Sequence, residues 1–380
     1  MVDPKRISPW RVWISIGKVF MKLFTCDCCG NLLYFENSNC VRCGTQLGFL
    51  TDVMHLSAIS VPDDHDCDRL PDPGRQSAFR KCANYTEYNV CNWMVPAESE
   101  EALCVACRLN RTIPNLETEE NLTLWHRLEI EKRRLVFSLL RLRLPVDPLS
   151  SHANGLGFDF LADPDPAFSE RGKVITGHDE GLITINIAEA DPVAREQMQA
   201  AMDEHYRTIL GHFRHESGHY YWNRLIRDTE WLGPCRELFG DDTQEYSQAL
   251  ERHYQDGPPP DGQERFVSTY AASHPWEDWA ETWAHYLHIV DTLETAHQFG
   301  IQVDPMVKGN EELDVSLDFD PYQQDRFEVL TEHWLPVSFA LNSLNRSMGH
   351  DHAYPFVLSP LVLKKLDFIH RVVRAGQVTK

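Results

Sequence analysis

The sequence lacks any long apolar run. No stretch approaches the roughly 18 apolar residues that a membrane-spanning helix requires, so no membrane contact is expected. The apolar stretch 13–20 is short and is interrupted by Gly17 and Lys18, which excludes the apolar core of a secretory signal. We therefore expect a cytoplasmic protein, with residues 1–23 as an extension outside the first domain.

Positive charge is also scarce. The 380 residues include 36 Lys and Arg against 57 Asp and Glu, which gives a formal net charge of −21. A protein that binds nucleic acid through the phosphate backbone needs the opposite balance, so nucleic acid is not an expected partner. Hydrophobic residues make up 42% and charged residues 24%, as in ordinary folded proteins. The length allows one large domain and a smaller one.

The 11 cysteines do not have the spacing of a disulfide framework. Two C-x-x-C-G knuckles, Cys26–Cys29 and Cys40–Cys43, each end in a glycine that lets backbone amides face the thiolates. Four thiolates around one zinc make a closed structural site. Cys28 is a spare thiol beside this set.

A second set of cysteines has the weaker spacing C-x8-C-x12-C-x2-C: Cys82, Cys91, Cys104 and Cys107. The two sets predict a zinc-ribbon domain over 24–116 with two structural zinc ions. Its excess of acidic residues favours protein docking, or a purely structural lid, over nucleic-acid binding. Cys235 stands apart, and Cys67 lies in an acidic loop, either as a free surface thiol or as a cap on a catalytic zinc.

An amphipathic helix is predicted after the cysteine region. Acidic residues follow Thr118, apolar residues recur at helical spacing, and the helix stops at Leu144 before Pro145. We interpret this helix as a packed connector between two domains.

The most informative motif is H-E-x-x-H at His215, Glu216 and His219. On a helix, residues four apart share a face, so both imidazoles can bind one zinc while Glu216 activates water as a general base. Gly218 is unfavourable inside a helix, and either it allows another element to approach closely or it is merely tolerated. His212 is predicted to be a packing or supporting histidine.

A third zinc ligand has to come from another segment. The stretch after His274 and Pro275 predicts a long helix in which Glu277, Glu281 and His285 share one face. Three tryptophans border this face, so a carboxylate ligand is favoured over a solvated stripe. An ion-pair network involving the two glutamates is the alternative.

Several segments resemble a known family. The stretch Y-A-A-S-H-P-W-E-D-W-A, from Tyr270, resembles the third-ligand helix of gluzincin metallopeptidases of the Mlc titration factor and anthrax lethal factor type. From Phe24 onward the chain resembles bacterial zinc-binding metallopeptidases with an N-terminal zinc ribbon; Cys28 departs from their pattern. The matching segments are C-G-N-L-L-Y-F-E-N, C-N-W-M-V-P, G-H-F-R-H-E-S-G-H-Y-Y-W, F-G-D-D, H-P-W-E-D-W-A-E-T-W-A-H-Y-L-H and N-R-S-M-G.

The resemblance implies an active site as well as a fold. It implies that His215, His219 and Glu277 bind a catalytic zinc, and that Glu216 is the general base. It also implies that Tyr270 donates a hydrogen bond in the transition state. The implied architecture is α+β and mainly helical, with a connector helix and a zincin-like domain following the ribbon.

The resulting hypothesis is a zinc endopeptidase with one catalytic and two structural zinc ions, whose substrate is a protein or peptide. The connector and zincin-like domain are expected over 117–380. Glu281 would hold the free N–H of a ligand histidine. The strand Leu182–Ile187 would be the edge that an extended peptide pairs with, and residues 240–263 would border the cleft. The alternative is a zinc-scaffolded protein-binding or regulatory protein with little turnover. The oligomeric state stays open.

Overall fold

The computed structural model describes residues 23–60, 78–163, 174, 176–202, 208–306, 309 and 311–377. Cys67 and residues 1–22 of the predicted extension 1–23 lie outside these residues, and Leu23 already belongs to the first strand. The strands are β1 Leu23–Thr25, β2 Leu32–Tyr34, β3 Gln46–Leu50, β4 His55–Ser60, β5 Phe79–Lys81, β6 Met94–Pro96, β7 Asn110–Thr112, β8 Gly157–Leu161, β9 Gly177–Asp179, β10 Leu182–Asn186, β11 Gln302–Val303 and β12 Val315–Ser316. The helices are α1 Ala83–Thr86, α2 Glu119–Arg141, α3 Pro192–Met202, α4 Ile209–Leu225, α5 Leu232–Phe239, α6 Tyr246–Asp256, α7 Gly262–Arg265, α8 Pro275–Gln298, α9 Phe327–Ser347 and α10 Pro360–Ala375.

The cysteine-rich part consists of short antiparallel strand pairs, β1–β2, β3–β4 and β5–β6. Gly30 and Gly44 follow the two cysteine knuckles with φ of +68° each, a conformation that glycine adopts without strain. Phe49 packs on Trp93 with ring centroids 4.8 Å apart. Such small ribbons bury little apolar surface by themselves, so they depend on neighbouring elements and on metal.

The connector helix α2 supplies the neighbouring surface. Phe137 of α2 packs against Phe35 and Phe49 of the ribbon, with ring centroids 5.5 and 5.8 Å apart. The helix ends at Arg141, three residues before the predicted Leu144. Because Phe137 is fully buried between them, the ribbon and the helical part share one apolar core.

A four-stranded sheet of order β7-β8-β10-β9 joins the two parts of the chain. β7 is the last strand of the cysteine-rich part and pairs in parallel with β8, which pairs in parallel with β10. β9 pairs with β10 in the antiparallel direction through Leu182↔Asp179 and Thr184↔Gly177. The sheet therefore has a strand from the ribbon region at one edge and β9 at the other.

The prediction that the strand Leu182–Ile187 forms an edge is wrong. β10 is internal, because β8 and β9 pair with it on opposite sides, and Ile187 already belongs to the 3₁₀ turn that follows. The alternation of apolar and polar residues in the sequence indicates that one face of the strand is covered. Such a pattern carries no information on which strands pair with it. Within the described part of the chain, the edge strands of this sheet are β7 and β9.

Helices α4 and α8 cross closely and carry the H-E-x-x-H motif and the predicted third ligand. Thr208 caps α4 by accepting from Gly211 N at 2.9 Å, and His274 caps α8 by accepting from Trp276 N at 3.0 Å. A Cβ built on Gly218 would lie 2.9 Å from Ala280 Cα and 3.2 Å from Ala280 O. Glycine is therefore required there by the approach of α8, as the first of the two readings of Gly218 predicted.

The predicted α+β, mainly helical class is confirmed. Helices α9 and α10 pack behind α8, and α10 also contacts α7. The segment around Gly349 is the C-terminal turn of α9, with Gly349 at φ +81°. Among the described residues, no helix combines the length and apolar character that crossing a membrane requires.

Candidate metal centre and active site

Two helices bring the three predicted ligands together. His215 and His219 project from α4, and Glu277 lies in the first turn of α8. Glu277 Oε2 is 2.9 Å from His215 Nε2 and 3.4 Å from His219 Nε2, and all three side chains are buried. One ligand atom from each residue lies within 4.8 Å of the other two, as a shared metal ion requires.

The donor set fits zinc. Two imidazole nitrogens and one carboxylate oxygen are the ligands of many catalytic zinc sites. Glu277 Oε2 is buried and has no hydrogen-bond partner among the described residues, since its close contacts to the imidazoles lack hydrogen-bond geometry. A buried carboxylate oxygen without a partner is costly unless a cation binds it. Burial raises the pKa of Glu277, but His219 and His215 outweigh this effect and hold it well below its usual value.

Glu281 occupies a different position from Glu277. Its Oε1 accepts from His215 Nδ1 at 2.6 Å, and its Oε2 accepts from Ser268 Oγ at 2.6 Å. Burial acts to raise the pKa of Glu281, but the contact with His215 dominates and lowers it to about 2. Glu281 therefore holds the ring nitrogen that faces away from the ligand cluster. The third member of the shared face, His285, contacts Tyr354 OH at 2.7 Å instead.

Sequence reasoning missed Tyr246. This residue opens α6, within the segment 240–263 that was predicted to border the cleft, and its hydroxyl donates to Glu277 Oε1 at 2.8 Å. Tyr246 thus fixes the oxygen of Glu277 that points away from the histidines. A tyrosine at the start of a short polar helix gives no local signal of this role.

Tyr270 lies in the 3₁₀ turn before α8, with its ring centroid 5.8 Å from that of His215. Its hydroxyl is close to that of Tyr246. Burial, and then the negative charge of Glu277, raise the pKa of Tyr270, so its hydroxyl keeps its proton and can donate. The structure thus brings this predicted hydrogen-bond donor to the candidate metal centre.

The cysteines form two clusters, each of four thiols with their Sγ atoms within 4.8 Å of one another. The members are Cys26, Cys29, Cys40 and Cys43 in the first, and Cys82, Cys91, Cys104 and Cys107 in the second. The closest sulfur pairs, such as Cys26–Cys43 at 3.6 Å, are far longer than a disulfide bond. Cys28 belongs to neither cluster, and Cys235 is buried near Trp222.

The second cluster rests on buried charges of α2. Cys107 Sγ is 4.0 Å from Glu129 Oε2, and Lys132 Nζ is 2.8 Å from Glu129 Oε1. Both side chains are fully enclosed, and Asn110 of β7 bonds to each of them. The thiols, the connector helix and the sheet therefore meet in one polar layer.

Comparison with known sequences identifies the family. A sequence profile described as "Putative zinc-binding metallo-peptidase" matches residues 121–372, and a zinc-ribbon domain profile matches residues 23–118. The chain belongs to this metallopeptidase family. Proteins described as uncharacterized from Mycobacterium bovis and from two strains of Mycobacterium tuberculosis are 44% identical to it over 357 residues, which cover 93% of this chain and 95% of theirs. No solved structure matches the chain significantly.

In a metallopeptidase of this family, the glutamate of the motif is the candidate base. Glu216 is buried, and its Oε1 is 3.4 Å from His212 Nε2. Burial raises the pKa of Glu216, but the hydrogen bond from His212 and the charges of His215 and His219 outweigh it and hold the pKa below its usual value. Glu216 is therefore a carboxylate ready to accept a proton.

A cavity of about 260 Å³ lies beside the candidate centre. Trp276 lines it and packs on His219 with centroids 3.9 Å apart. His178 of the edge strand β9 also lines it, and burial followed by the proximity of His219 lowers the pKa of His178 to about 4. The β9 edge of the sheet thus borders the cavity that adjoins the histidine ligands.

Proposed function

We propose that the protein is a zinc-dependent endopeptidase that hydrolyses peptide bonds in a protein or peptide substrate. The observation that carries the proposal is that the ligand atoms of His215, His219 and Glu277 lie close together. The Oε2 atom of Glu277, which faces the two histidines, lacks a hydrogen-bond partner in the described part of the chain. Three protein ligands leave a fourth position open, which distinguishes catalytic from structural zinc. The two cysteine clusters would bind two further, structural zinc ions.

The residues around the centre support a division of roles. A zinc ion bound there would polarise a scissile carbonyl and lower the pKa of water towards about 7. Glu216 would take the proton of the attacking water and return it to the leaving amine. Tyr270 would donate a hydrogen bond to the developing oxyanion, and Glu281 would hold the orientation of His215.

The substrate would bind as an extended strand. β9 offers backbone groups along its free edge, and this edge borders the cavity next to His219. Pairing with such an edge recognises the peptide backbone, which suits an enzyme whose substrate is a polypeptide. We also propose a cytoplasmic location, because clusters of four free thiols persist in reducing compartments.

The deciding experiment replaces Glu216 by Gln. The amide preserves the shape of the side chain but cannot take a proton, so zinc content and melting temperature should stay unchanged. Hydrolysis of an unbiased peptide library should fall by roughly 10²–10⁴-fold. Glu237→Gln makes the same chemical change on the exposed side of α5 and should leave activity unaffected.

Two outcomes would contradict the proposal. Equal cleavage by wild type and Glu216→Gln would point to a contaminant or to another mechanism. Absence of cleavage by both, together with a partner that binds through the zinc ribbon, would favour the zinc-scaffolded binding protein.

A further inference from the structure

A second buried carboxylate lies on the far side of His212 from Glu216. His212 Nε2 is 3.4 Å from Glu216 Oε1, and His212 Nδ1 is 2.6 Å from Glu189 Oε2. The two carboxylate side chains are only 6% and 7% exposed. One imidazole therefore connects two carboxylates that come from different elements, since Glu216 belongs to α4 and Glu189 to the 3₁₀ turn Ile187–Ala190.

Glu189 is anchored independently of the motif helix. Its turn directly follows β10, and Thr176 Oγ1 donates to Glu189 Oε1. The carbonyl of Ala190, at the end of the turn, accepts from Arg127 of α2 at 3.0 Å. The sheet and the connector helix thus fix the position of Glu189, which contacts His212. The other ring nitrogen of His212 faces one oxygen of Glu216.

We propose that Glu189 and His212 form a positioning pair that aims the carboxylate of Glu216 at the reacting water. The inference rests on the proposed function. The last torsion of a glutamate side chain has a broad energy profile, so its carboxylate needs a partner to hold one direction. A donor on one oxygen leaves the other free to accept a proton. His212 acts through Glu216 and needs no contact with the substrate.

The geometry also argues against a merely packed histidine. A packing histidine is satisfied by one backbone carbonyl, whereas both ring nitrogens of His212 face carboxylate oxygens. Neither is needed to cap α4, because Thr208 already caps it. The pair links the general base to the sheet that carries the substrate edge.

The test uses His212→Phe, which keeps the ring volume without a donor, and His212→Gln, which keeps an N–H donor. Both variants should retain the wild-type zinc content. In peptide hydrolysis, His212→Phe should lower kcat by roughly 10–100-fold with little change in KM, as expected for supporting residues. His212→Gln should recover most of the loss, and Glu189→Gln should lie between the two.

A second readout does not require turnover. The affinity for a peptidyl hydroxamate, whose hydroxyl donates to the general base, should fall by about 10-fold or more in His212→Phe and in Glu216→Gln. Because His212 acts through Glu216, the double variant should bind no more weakly than Glu216→Gln alone. Additive losses, or wild-type affinity in His212→Phe, would overturn the inference. Absence of hydrolysis by the wild-type protein would refute the proposed function instead. The hydroxamate affinities of the single and double variants would still decide the role of His212.

Discussion

The close approach of the two ligand-bearing helices at Gly218 makes Gly218→Ala a sharp perturbation. The added Cβ would lie 2.9 Å from Ala280 Cα, a backbone atom that cannot rotate away. Carbon atoms in contact prefer about 3.5–4.0 Å, so α8 has to retreat by roughly 0.6 Å or more. Overpacking of this kind costs about 1–3 kcal/mol, and the better helix propensity of alanine returns about 1 kcal/mol. We expect a net loss of about 0–2 kcal/mol in the free energy of unfolding.

The displacement should also reach the metal centre. Glu277 lies three residues before Ala280 on α8, so moving the helix separates its carboxylate from His215 and His219. Ligand distances in metal sites hold within about 0.2 Å, so we expect zinc affinity at this centre to fall by about 10-fold or more. Urea denaturation with and without a chelator measures the first effect, and zinc competition with a chromophoric chelator measures the second.

Gly233→Ala provides the matched control. Gly233 lies in α5, and a Cβ there would meet no atom within 4 Å outside its two chain neighbours and the backbone of its own helix. The same substitution should therefore leave zinc affinity unchanged and change stability by no more than about 1 kcal/mol. If Gly218→Ala proves as stable as the wild type and binds zinc equally well, the crossing of α4 and α8 is not the constraint inferred from the structure.

Two further predictions concern metal binding. Glu277→Ala should lose the zinc of the candidate active site. Glu281→Ala should weaken zinc affinity or activity by only about 10–100-fold, because Glu281 contacts His215 rather than the ligand position. The reverse order in a metal titration would show that the two carboxylates are assigned wrongly. Elemental analysis of the purified protein should give about three zinc ions per chain, two held by thiolates and one that chelators remove first, and a single zinc per chain would eliminate the assignment of the cysteine clusters.

Much of the candidate centre could be predicted because its parts follow from local spacing. His215 and His219 share a face on any helix. Each C-x-x-C pair likewise brings its two thiols close together through local spacing alone. The requirement for Gly218 was also predictable in kind, because glycine destabilises a helix interior relative to alanine and so suggests a close approach by another element. The choice between Glu277 and Glu281 depended on a family resemblance rather than on spacing, and the structure separates the two by the nitrogen of His215 that each one faces.

The remaining features depend on contacts between distant segments. Tyr246 reaches Glu277 across 31 residues of sequence, and Glu189 reaches His212 across 23, without a local pattern that marks either pair. The internal position of β10 has this cause on the side of β8, whereas β9 reaches the other side of β10 through the short turn at 180–181. Periodicity reports which side chains are covered, but it does not report which segment covers them.

The shared sheet means that the two halves of this chain are not separable modules. A fragment begun at residue 117 would lack β7, and β8 would then present an open row of amide and carbonyl groups to any neighbouring molecule. It would also lack Asn110, and Glu129 and Lys132 would lose the cover that encloses them. Truncation at this point would therefore yield an aggregation-prone fragment rather than a minimal metallopeptidase domain. Through β7, the cysteine-rich part thus covers one side of β8, in the sheet whose opposite edge strand, β9, borders the candidate active site.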